Sequence, residues 1–480
     1  MSAAPPPVPL RIGGAPVGTA RTREVRAPWD DRVVARVAVA GPADLEAALA
    51  AAVAAAPAVA ALPAFARAEA LHRAAAAVRA QADLLARTIC EEGGKPIRYA
   101  RGEVERAART FTASAEEATR LHGTAPALDG APAGAGRTAT VRRHPLGVVA
   151  AITPFNFPLN LAVHKVGPAL AAGNAVVLKP SEKVPVTGLL LGALLDGCGL
   201  PAGAVNVVVG DDPELGARLV RDPRPAAVSF TGSPEVGWAL RAAAGTKRVT
   251  LELGGNAAVV IDRSADLEDA ARRVTEAAFA HAGQICISAQ RIFVHRDVAA
   301  AFRDAFFAAV ARDAKAGDPA DPGTMVGPMI SEAAAERVEA WLAAAERGGG
   351  RVTRFGARRR TVLPATVVEG APADADVHRK EVFGPVVTLD PVASFAEGLA
   401  RADDSDFGLQ ASVFTADLDA VLDAELRLTV GAVIVNDAPT FRVDTMPYGG
   451  ERASGLGREG VAEAVRSFTR ERLTVIRRAR

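Results

Sequence analysis

Gly147-Val-Val-Ala-Ala-Ile-Thr153-Pro-Phe-Asn156 is the stretch that decides the fold of this 480-residue chain. An apolar run without polar alternation predicts a strand that is buried on both faces. A helical pattern follows over 159–172, ends at Gly173, and leads to a second apolar run, Ala175-Val-Val-Leu-Lys179. Strand, helix and strand in this order indicate a parallel sheet with helices packed on its faces.

The same alternation continues outward from this stretch in both directions. Further strands are predicted at 205–209, 226–230 and 249–253, with helices between them. A second α/β pattern covers 257–435, with helices at 265–282, 331–347 and near 394–403, and a strand at 432–436. Upstream, a helical region over 42–117 is broken near 93–96, and a loop at 123–136 precedes an exposed strand at 137–144. The tail, 470–476, also has the pattern of a strand. The fold class is therefore α/β with a doubly wound sheet.

Composition narrows the classes of partner. The chain has 56 Lys and Arg against 55 Asp and Glu, without a basic stripe, which argues against a nucleic-acid partner. Cys90, Cys198 and Cys286 are too far apart for a disulfide framework or zinc site, so we expect no metal and a reducing, cytoplasmic location. The N-terminus lacks the pattern of a secretory signal. The charge-free run 47–65 predicts a packed helix rather than a membrane span.

Polar residues follow four of the predicted strands. Ligands of doubly wound sheets bind at the carboxyl ends of the strands, where these residues are expected to lie. The segments are Thr153-Pro-Phe-Asn156, Lys179-Pro-Ser-Glu182, Gly210-Asp-Asp212 and Thr231-Gly-Ser233.

Two of these segments have the chemistry of a nucleotide site. Gly232 and Ser233 open a helix whose free N–H groups favour a phosphate, although an ordinary glycine turn explains them equally well. Lys179 and Glu182 suit ribose hydroxyls or phosphate, with a solvated loop as the alternative. The formal G-x-G-x-x-G over 455–460 follows no buried strand, and we interpret it as a decoy.

A thiol and a carboxylate stand out as candidate reactive groups. Cys286 lies in Gly283-Gln-Ile-Cys286, between a helical pattern and a strand, and Glu252 lies in an apolar run that ends at Gly254-Gly255. A lone cysteine is more often a small buried filler. A carboxylate in an apolar run, however, is costly unless it is paired or used. The hypothesis is a nucleophile with a base that activates water.

Taken together, motifs along nearly the whole chain resemble the aldehyde dehydrogenase superfamily. They are Thr153-Pro-Phe-Asn-Phe-Pro-Leu159, Gly167-Pro-Ala-Leu-Ala-Ala-Gly-Asn174, Lys179-Pro-Ser-Glu182, Phe230-Thr-Gly-Ser233, Leu251-Glu-Leu-Gly-Gly255, Gly283-Gln-Ile-Cys286, Glu381-Val-Phe-Gly-Pro385 and Pro447-Tyr-Gly-Gly450. The resemblance implies NAD(P)-dependent oxidation of an aldehyde to the acid, with Cys286 as nucleophile, Glu252 as base and Asn156 as oxyanion donor. It also implies a set of residues around the cofactor: Ile152, Thr153, Pro154, Phe155, Lys179, Ser181, Glu182, Gly210, Thr231, Gly232, Ser233, Leu253, Glu381 and Phe383.

The resemblance further implies a three-part subunit that forms a homodimer or homotetramer. The expected cofactor-binding domain is 1–122 with 146–253, the catalytic domain is 254–452, and the oligomerisation flap and tail are 123–145 with 453–480. NAD is expected rather than NADP, because the charge of Glu182 would repel a 2′-phosphate.

The substrate is expected to be a small polar or anionic aldehyde. The chain is similar to the branch of lactaldehyde, phosphonoacetaldehyde and non-phosphorylating glyceraldehyde-phosphate dehydrogenases. The candidate substrate residues are His164, Arg106, Ile285, Ile287 and Arg442. Three alternatives stay open: a CoA-acylating dehydrogenase, a cofactor-independent thiol acyltransferase or hydrolase, and a silent dinucleotide-binding protein.

Overall fold

The computed structural model describes residues 6–478. The strands are β1 (Leu10–Ile12), β2 (Ala15–Val17), β3 (Thr22–Arg26), β4 (Val33–Ala38), β5 (Arg137–Pro145), β6 (Val148–Ile152), β7 (Ala175–Lys179), β8 (Val205–Val207), β9 (Pro225–Thr231), β10 (Arg248–Glu252), β11 (Ala257–Ile261), β12 (Ala289–His295), β13 (Arg351–Arg354), β14 (Thr366–Glu369), β15 (Val386–Val392), β16 (Phe407–Gly408), β17 (Gln410–Phe414), β18 (Ala432–Val435), β19 (Glu451–Arg452), β20 (Gly455–Leu456) and β21 (Thr469–Arg477).

Helices connect most of these strands. They are α1 (Pro42–Ala61), α2 (Ala64–Ala80), α3 (Ala82–Gly93), α4 (Ile97–Arg120), α5 (Asn160–Ala171), α6 (Pro185–Asp196), α7 (Pro213–Arg221), α8 (Pro234–Ala243), α9 (Leu267–Phe279), α10 (Ala299–Asp313), α11 (Glu332–Arg347), α12 (Asp376–Arg379), α13 (Phe395–Asp403), α14 (Leu418–Arg427) and α15 (Val461–Ser467). Short 3-10 helices lie at Pro132–Gly134 and Ala280–Gly283.

The first large sheet is eight-stranded, in the order β2-β1-β8-β7-β6-β9-β10-β20. Its five central strands, β8 to β10 in that order, pair in parallel, and every residue of β6 and β7 is buried. Ile152 pairs with Lys179 on one side and Phe230 on the other, and Thr231 pairs with Glu252. The polar residues that follow these strands therefore share one edge of the sheet, as the sequence predicts, and the α/β fold class is confirmed.

Helix α1 contains most of the charge-free run. Among the described residues it is the one helix long and apolar enough to cross a bilayer. Within the run, Leu49, Ala52 and Val59 are buried, and the helix packs against β7 and β8. One face of the run is therefore removed from water within the fold.

The second large sheet is seven-stranded, in the order β13-β14-β15-β12-β11-β17-β18, and only β13 is antiparallel to its neighbour. Helices α10, α12 and α14 add to the three helices that the pattern predicts here. The predicted helix 265–282 ends earlier, at Phe279, because His281 and Ala282 adopt positive φ angles of 51° and 55°. A left-handed residue cannot continue a right-handed helix.

A two-stranded ribbon of β5 and β21 pairs residues 137–145 with residues 469–477. Of the predicted flap segment 453–480, this ribbon contains only β21. Strand β20 extends the first large sheet beside β10, and α15 packs against α4 and α5. The domain boundaries stay a prediction.

Candidate active site

A cavity of ≈ 780 Å³ runs along the carboxyl edge of the first sheet. Its lining combines the strand ends of that sheet with residues 285–287 and with the segment that contains Arg442 and Tyr448. Chain segments that are far apart in sequence thus meet around one space, which is where the candidate thiol and carboxylate both lie.

Cys286 is presented to this cavity by a left-handed turn. His281, Ala282 and Gly283 all have positive φ, and a Cβ on Gly283 would collide with the carbonyl of Gly384. The thiol Sγ lies 3.1 Å from the hydroxyl oxygen of Tyr448. Burial raises the pKa of the Cys286 thiol to about 11, and the hydrogen bond with Tyr448 opposes that rise.

Glu252 ends β10 and is buried. Within residues 6–478 neither of its carboxylate oxygens has a hydrogen-bond partner, and the side chain lines the same cavity as Cys286. Burial raises the pKa of Glu252 well above its usual range, and the negative charge of Glu459 adds to the rise. A raised pKa makes the ionised carboxylate a stronger base, so Glu252 can accept a proton from water once it is ionised.

The two glycines that follow Glu252 let other segments approach. A Cβ on Gly255 would collide with the carbonyl oxygen of Cys286, and a Cβ on Gly254 would collide with the carboxylate of Glu381. The Gly255 N–H donates to Glu381 at 2.9 Å. The double glycine therefore lets β10, the thiol loop and Glu381 lie side by side.

Asn156 is held from both its side chain and its backbone. Its Nδ2 donates to the carbonyl of Gln284 at 2.9 Å, which leaves the second amide hydrogen free. Its own carbonyl accepts from Lys95 Nζ at 2.9 Å, and Lys95 forms a buried ion pair of 2.8 Å with Glu103. Glu103 also accepts the N–H groups of Leu159 and Asn160 at the start of α5. These contacts fix the backbone around Asn156.

The part of the cavity that the strand ends line offers polar groups that suit a dinucleotide. The buried hydroxyls of Thr153 and Thr231 have no hydrogen-bond partner in the part of the chain that the structure describes, so polar atoms there are available to a ligand. Ser233 begins α8, whose N-terminus opens on the cavity. Lys179 Nζ lies 3.9 Å from Glu182. Phe383 has a positive φ of 45°, and its ring packs edge-on against the ring of Phe155.

Asp444 joins several residues that the sequence analysis assigns to the substrate end. It accepts two hydrogen bonds from Arg106, at 3.1 and 2.7 Å, one from Asn160 Nδ2 at 3.0 Å, and contacts His164 Nε2 at 2.9 Å. Burial disfavours its ionisation, but the contacts with His164 and Arg106 outweigh that effect and hold its pKa far below the usual range. These charges are largely satisfied by one another.

Arg442 is bound differently from Arg106. Its guanidinium carbon lies 3.6 Å from the centre of the Tyr448 ring, and its Nη2 lies 3.8 Å from Glu459. Its Nε is buried and has no hydrogen-bond partner among the described residues. This guanidinium lines the cavity close to the thiol and has bonding capacity left.

Comparison with known proteins identifies the chain. Residues 17–474 match the aldehyde dehydrogenase family. The chain belongs to that family. The predicted family, α/β fold and NAD(P)-dependent aldehyde oxidation are confirmed, and the protein is an NAD(P)-dependent aldehyde dehydrogenase.

Relatives of this aldehyde dehydrogenase include enzymes of the branch named above. A 3-sulfolactaldehyde dehydrogenase of Priestia aryabhattai is 44% identical over 391 residues, 82% of each chain. The crystal structure of aldehyde dehydrogenase 21 from Physcomitrella patens, in complex with the reaction product succinate, is 37% identical, with a TM-score of 0.95 over 99% of both chains. The NADP complex of the NADP-dependent glyceraldehyde-3-phosphate dehydrogenase from Bacillus halodurans is 31% identical, with a TM-score of 0.95 over 98% of this chain and 100% of that one.

Most of the site residues predicted for this aldehyde dehydrogenase line the cavity described above. They are Cys286, Glu252, Asn156, Ile152, Thr153, Pro154, Phe155, Lys179, Ser181, Glu182, Thr231, Gly232, Ser233, Leu253, Glu381, Phe383, Arg106, Ile285, Ile287 and Arg442. Two predicted residues lie outside this set. Gly210 lies against Leu215 of α7, and His164 is buried in α5, where it contacts Asp444.

Sequence reasoning missed several charged residues of the dehydrogenase site, among them Lys95, Glu103, Lys165 and Glu459. Lys165 Nζ donates to Glu459 at 2.6 Å and to Ser229 at 3.1 Å inside the protein. Burial opposes ionisation of Glu459, but Lys165, with His164 and Arg442, holds its pKa below the usual range. The sequence feature that could have pointed to this pair is Lys165, a lysine in helix α5, whose residues are all buried. Glu459 lies in the G-x-G-x-x-G run, whose first residues form β20.

Proposed function

We propose that this enzyme oxidises a small anionic aldehyde to its acid through a covalent intermediate on Cys286. One observation carries the proposal: Arg442 is a buried guanidinium beside the thiol, and its Nε has no partner among residues 6–478. A buried donor with unused capacity favours an acceptor on the ligand. Ile285 and Ile287 supply the apolar walls around a short carbon chain.

Three relatives support an anionic group without agreeing on its chemistry. Their names refer to 3-sulfolactaldehyde, to succinate as a reaction product, and to glyceraldehyde 3-phosphate. A sulfonate, a carboxylate and a phosphate share negative oxygens that a guanidinium binds well. The proposed substrate class is therefore a short aldehyde with one of these groups, and Arg442 is its proposed counter-ion.

The reaction follows from the proposed roles of three side chains. The Cys286 thiolate adds to the aldehyde carbon, a C–S bond forms, and the carbonyl electron pair moves to oxygen. Asn156 Nδ2 and the Cys286 N–H donate to that oxyanion. Bound NAD(P) supplies the hydride acceptor, and the residues from Lys179 to Ser233 around the strand ends would hold it. Loss of the hydride from the former aldehyde carbon leaves an acyl thioester on Cys286. Glu252 then removes a proton from water, the water oxygen adds to the thioester carbon, and the C–S bond breaks, which releases the acid and the Cys286 thiolate. An unpartnered, buried Glu252 favours this hydrolysis over transfer of the acyl group to coenzyme A.

A panel of aldehydes tests the substrate class. Succinic semialdehyde is compared with its neutral methyl ester, in wild type and in Arg442→Ala. We expect kcat/KM for the acid to fall about tenfold or more relative to the ester, since a charged hydrogen bond contributes about 1.5–3 kcal/mol. An equal loss for both aldehydes, or a wild-type preference for hexanal or benzaldehyde, contradicts the proposal.

We further propose that NAD is preferred to NADP. Glu182 lines the cavity just beyond β7, where we expect the adenosine ribose to bind, and two like charges about 4 Å apart repel by roughly 1–4 kcal/mol when partly screened. Lys179, 3.9 Å from Glu182, weakens this repulsion. Glu182→Ala should raise the ratio of NADP to NAD efficiency about tenfold. An unchanged ratio refutes this role of Glu182.

A homodimer or homotetramer and a cytoplasmic location complete the proposal. Apolar side chains of β21 and α14 face solvent in the single chain: Leu473, Ile476, Leu418, Leu422 and Leu426. Such surface is typical of interfaces between subunits. Light scattering after gel filtration should give two or four times the chain mass; a monomer contradicts it. All three cysteines are free thiols, which suits a reducing compartment.

A further inference from the structure

The hydroxyl of Tyr448 is the one hydrogen-bond partner of Cys286 Sγ within residues 6–478, at 3.1 Å. The hydroxyl has no other partner there, so its single O–H can be directed wholly at sulfur. The ring is 4% exposed, which leaves water little access to compete for the same proton. A buried O–H beside sulfur favours the charged form of the thiol over the neutral form.

The backbone of Tyr448 is fixed on both sides. Its N–H donates to the carbonyl of Glu459 at 2.9 Å, and its carbonyl accepts the Glu459 N–H at 2.6 Å. The ring packs in a small apolar cluster with Ile287 and Leu409. A side chain held at the backbone and along its ring keeps its hydroxyl near sulfur at little entropic cost during the reaction.

Arg442 acts on the same ring from its face. The guanidinium lies 3.6 Å from the ring centre, well inside the distance of a cation–π contact. A cation on the ring withdraws electron density from the phenol, which makes the O–H a stronger donor. The same charge also favours a thiolate electrostatically. Ring and guanidinium therefore work in the same direction.

We infer that Tyr448, strengthened by Arg442, is a catalytic residue that stabilises the Cys286 thiolate by donating its O–H to Sγ. This inference rests on the proposed role of Cys286 as the nucleophile. Tyr448 keeps its proton throughout, because burial raises the pKa of the phenol well above 10. The thiol proton leaves to solvent, and Tyr448 donates to the sulfur lone pair that remains. Once sulfur has bonded to the aldehyde carbon, its charge has passed to oxygen and this hydrogen bond weakens.

The test is the pH dependence of Cys286 alkylation by iodoacetamide, a neutral reagent, in Tyr448→Phe. Phenylalanine keeps the ring, so packing is conserved and only the hydroxyl is removed. We expect alkylation at pH 7 to slow about tenfold, with the pH profile displaced to higher pH, because a hydrogen bond to a charged group is lost. Tyr99→Phe is the matched control, since the Tyr99 hydroxyl bonds Glu276 instead. A Tyr448→Phe profile that coincides with wild type overturns the inference.

Arg442 provides a second arm, which also decides the matter if Tyr448→Phe does not fold. Arg442→Gln should shift the alkylation profile in the same direction by a smaller amount, and Arg442→Lys should restore part of it. An unchanged profile in Arg442→Gln removes the role of the guanidinium and overturns the inference as stated. Mass spectrometry of the alkylated enzyme separates the two proposals. If inactivation does not coincide with modification of Cys286, the proposed function fails. If it does and the profiles coincide, only the inference fails.

Discussion

Glu252 and Asp444 are two carboxylates of the same region that are similarly buried, at 3% and 8% exposed. They differ in their hydrogen-bond partners and in the direction in which their pKa values are shifted. Glu252 has no hydrogen-bond partner within the described residues, whereas Asp444 has Arg106, Asn160 and His164. The pKa of Glu252 is raised by burial, and the pKa of Asp444 is held low by its partners. The comparison shows that hydrogen-bond and charge partners, rather than depth of burial, decide whether a carboxylate can take a proton or anchors a loop.

Removing the Cys286 thiol tests the chemistry proposed around Glu252. This change has the largest expected effect on aldehyde oxidation. Cys286→Ala should lower aldehyde oxidation by about 10⁴-fold or more, because the covalent route is lost. Binding of NADH, followed by fluorescence titration, should stay nearly unchanged. Cys198→Ala is the matched control, since that thiol is buried in α6's following turn and does not line the cavity. Turnover within about tenfold of wild type would exclude Cys286 as the nucleophile.

Glu252→Gln removes the proton acceptor but keeps its shape. Rapid mixing should give one burst of NADH per active site and then a stall, with an acyl group on Cys286 detectable by mass spectrometry. In wild type, a carboxyl with a raised pKa is ionised only above that pKa, so thioester hydrolysis should speed up as the pH rises through the raised pKa of Glu252. The variant should lose this rise. A variant without the burst would place Glu252 before hydride transfer instead.

Asp444→Asn tests the anchoring side and has the smallest expected effect. The amide keeps the shape but loses the charge that Arg106 pairs with, which should cost about 1–3 kcal/mol of unfolding free energy. Because the folded-state pKa of Asp444 is depressed, its stabilisation is present above about pH 4 and is lost as the pH falls below that value. In urea denaturation, the difference in unfolding free energy between wild type and Asp444→Asn should therefore be smaller at pH 3 than at pH 7. Exposed Asp423→Asn is the control. An unaltered midpoint at pH 7 would show that the anchor is not needed.

The amino-acid sequence determined the parallel sheet, the helices around it, and the motifs that carry Cys286, Glu252 and Asn156. The physical reason is that these signals are local: an apolar run, a helical period and a glycine turn depend on neighbours in the chain. The polar strand ends followed from the same pattern, because strands paired in parallel place their carboxyl ends together.

Only the tertiary structure decided which charges meet. His164 and Asp444 are 280 residues apart, Lys165 and Glu459 are 294 apart, and Arg106 and Asp444 are 338 apart. No periodicity relates residues at such separations. The sequence could therefore assign Arg106 and His164 to the substrate as easily as to Asp444. The contact between Tyr448 and Cys286 is of the same kind, because it depends on a loop that returns to the sheet edge after 162 residues. Long-range packing thus chose which polar groups are satisfied and which stay available for chemistry.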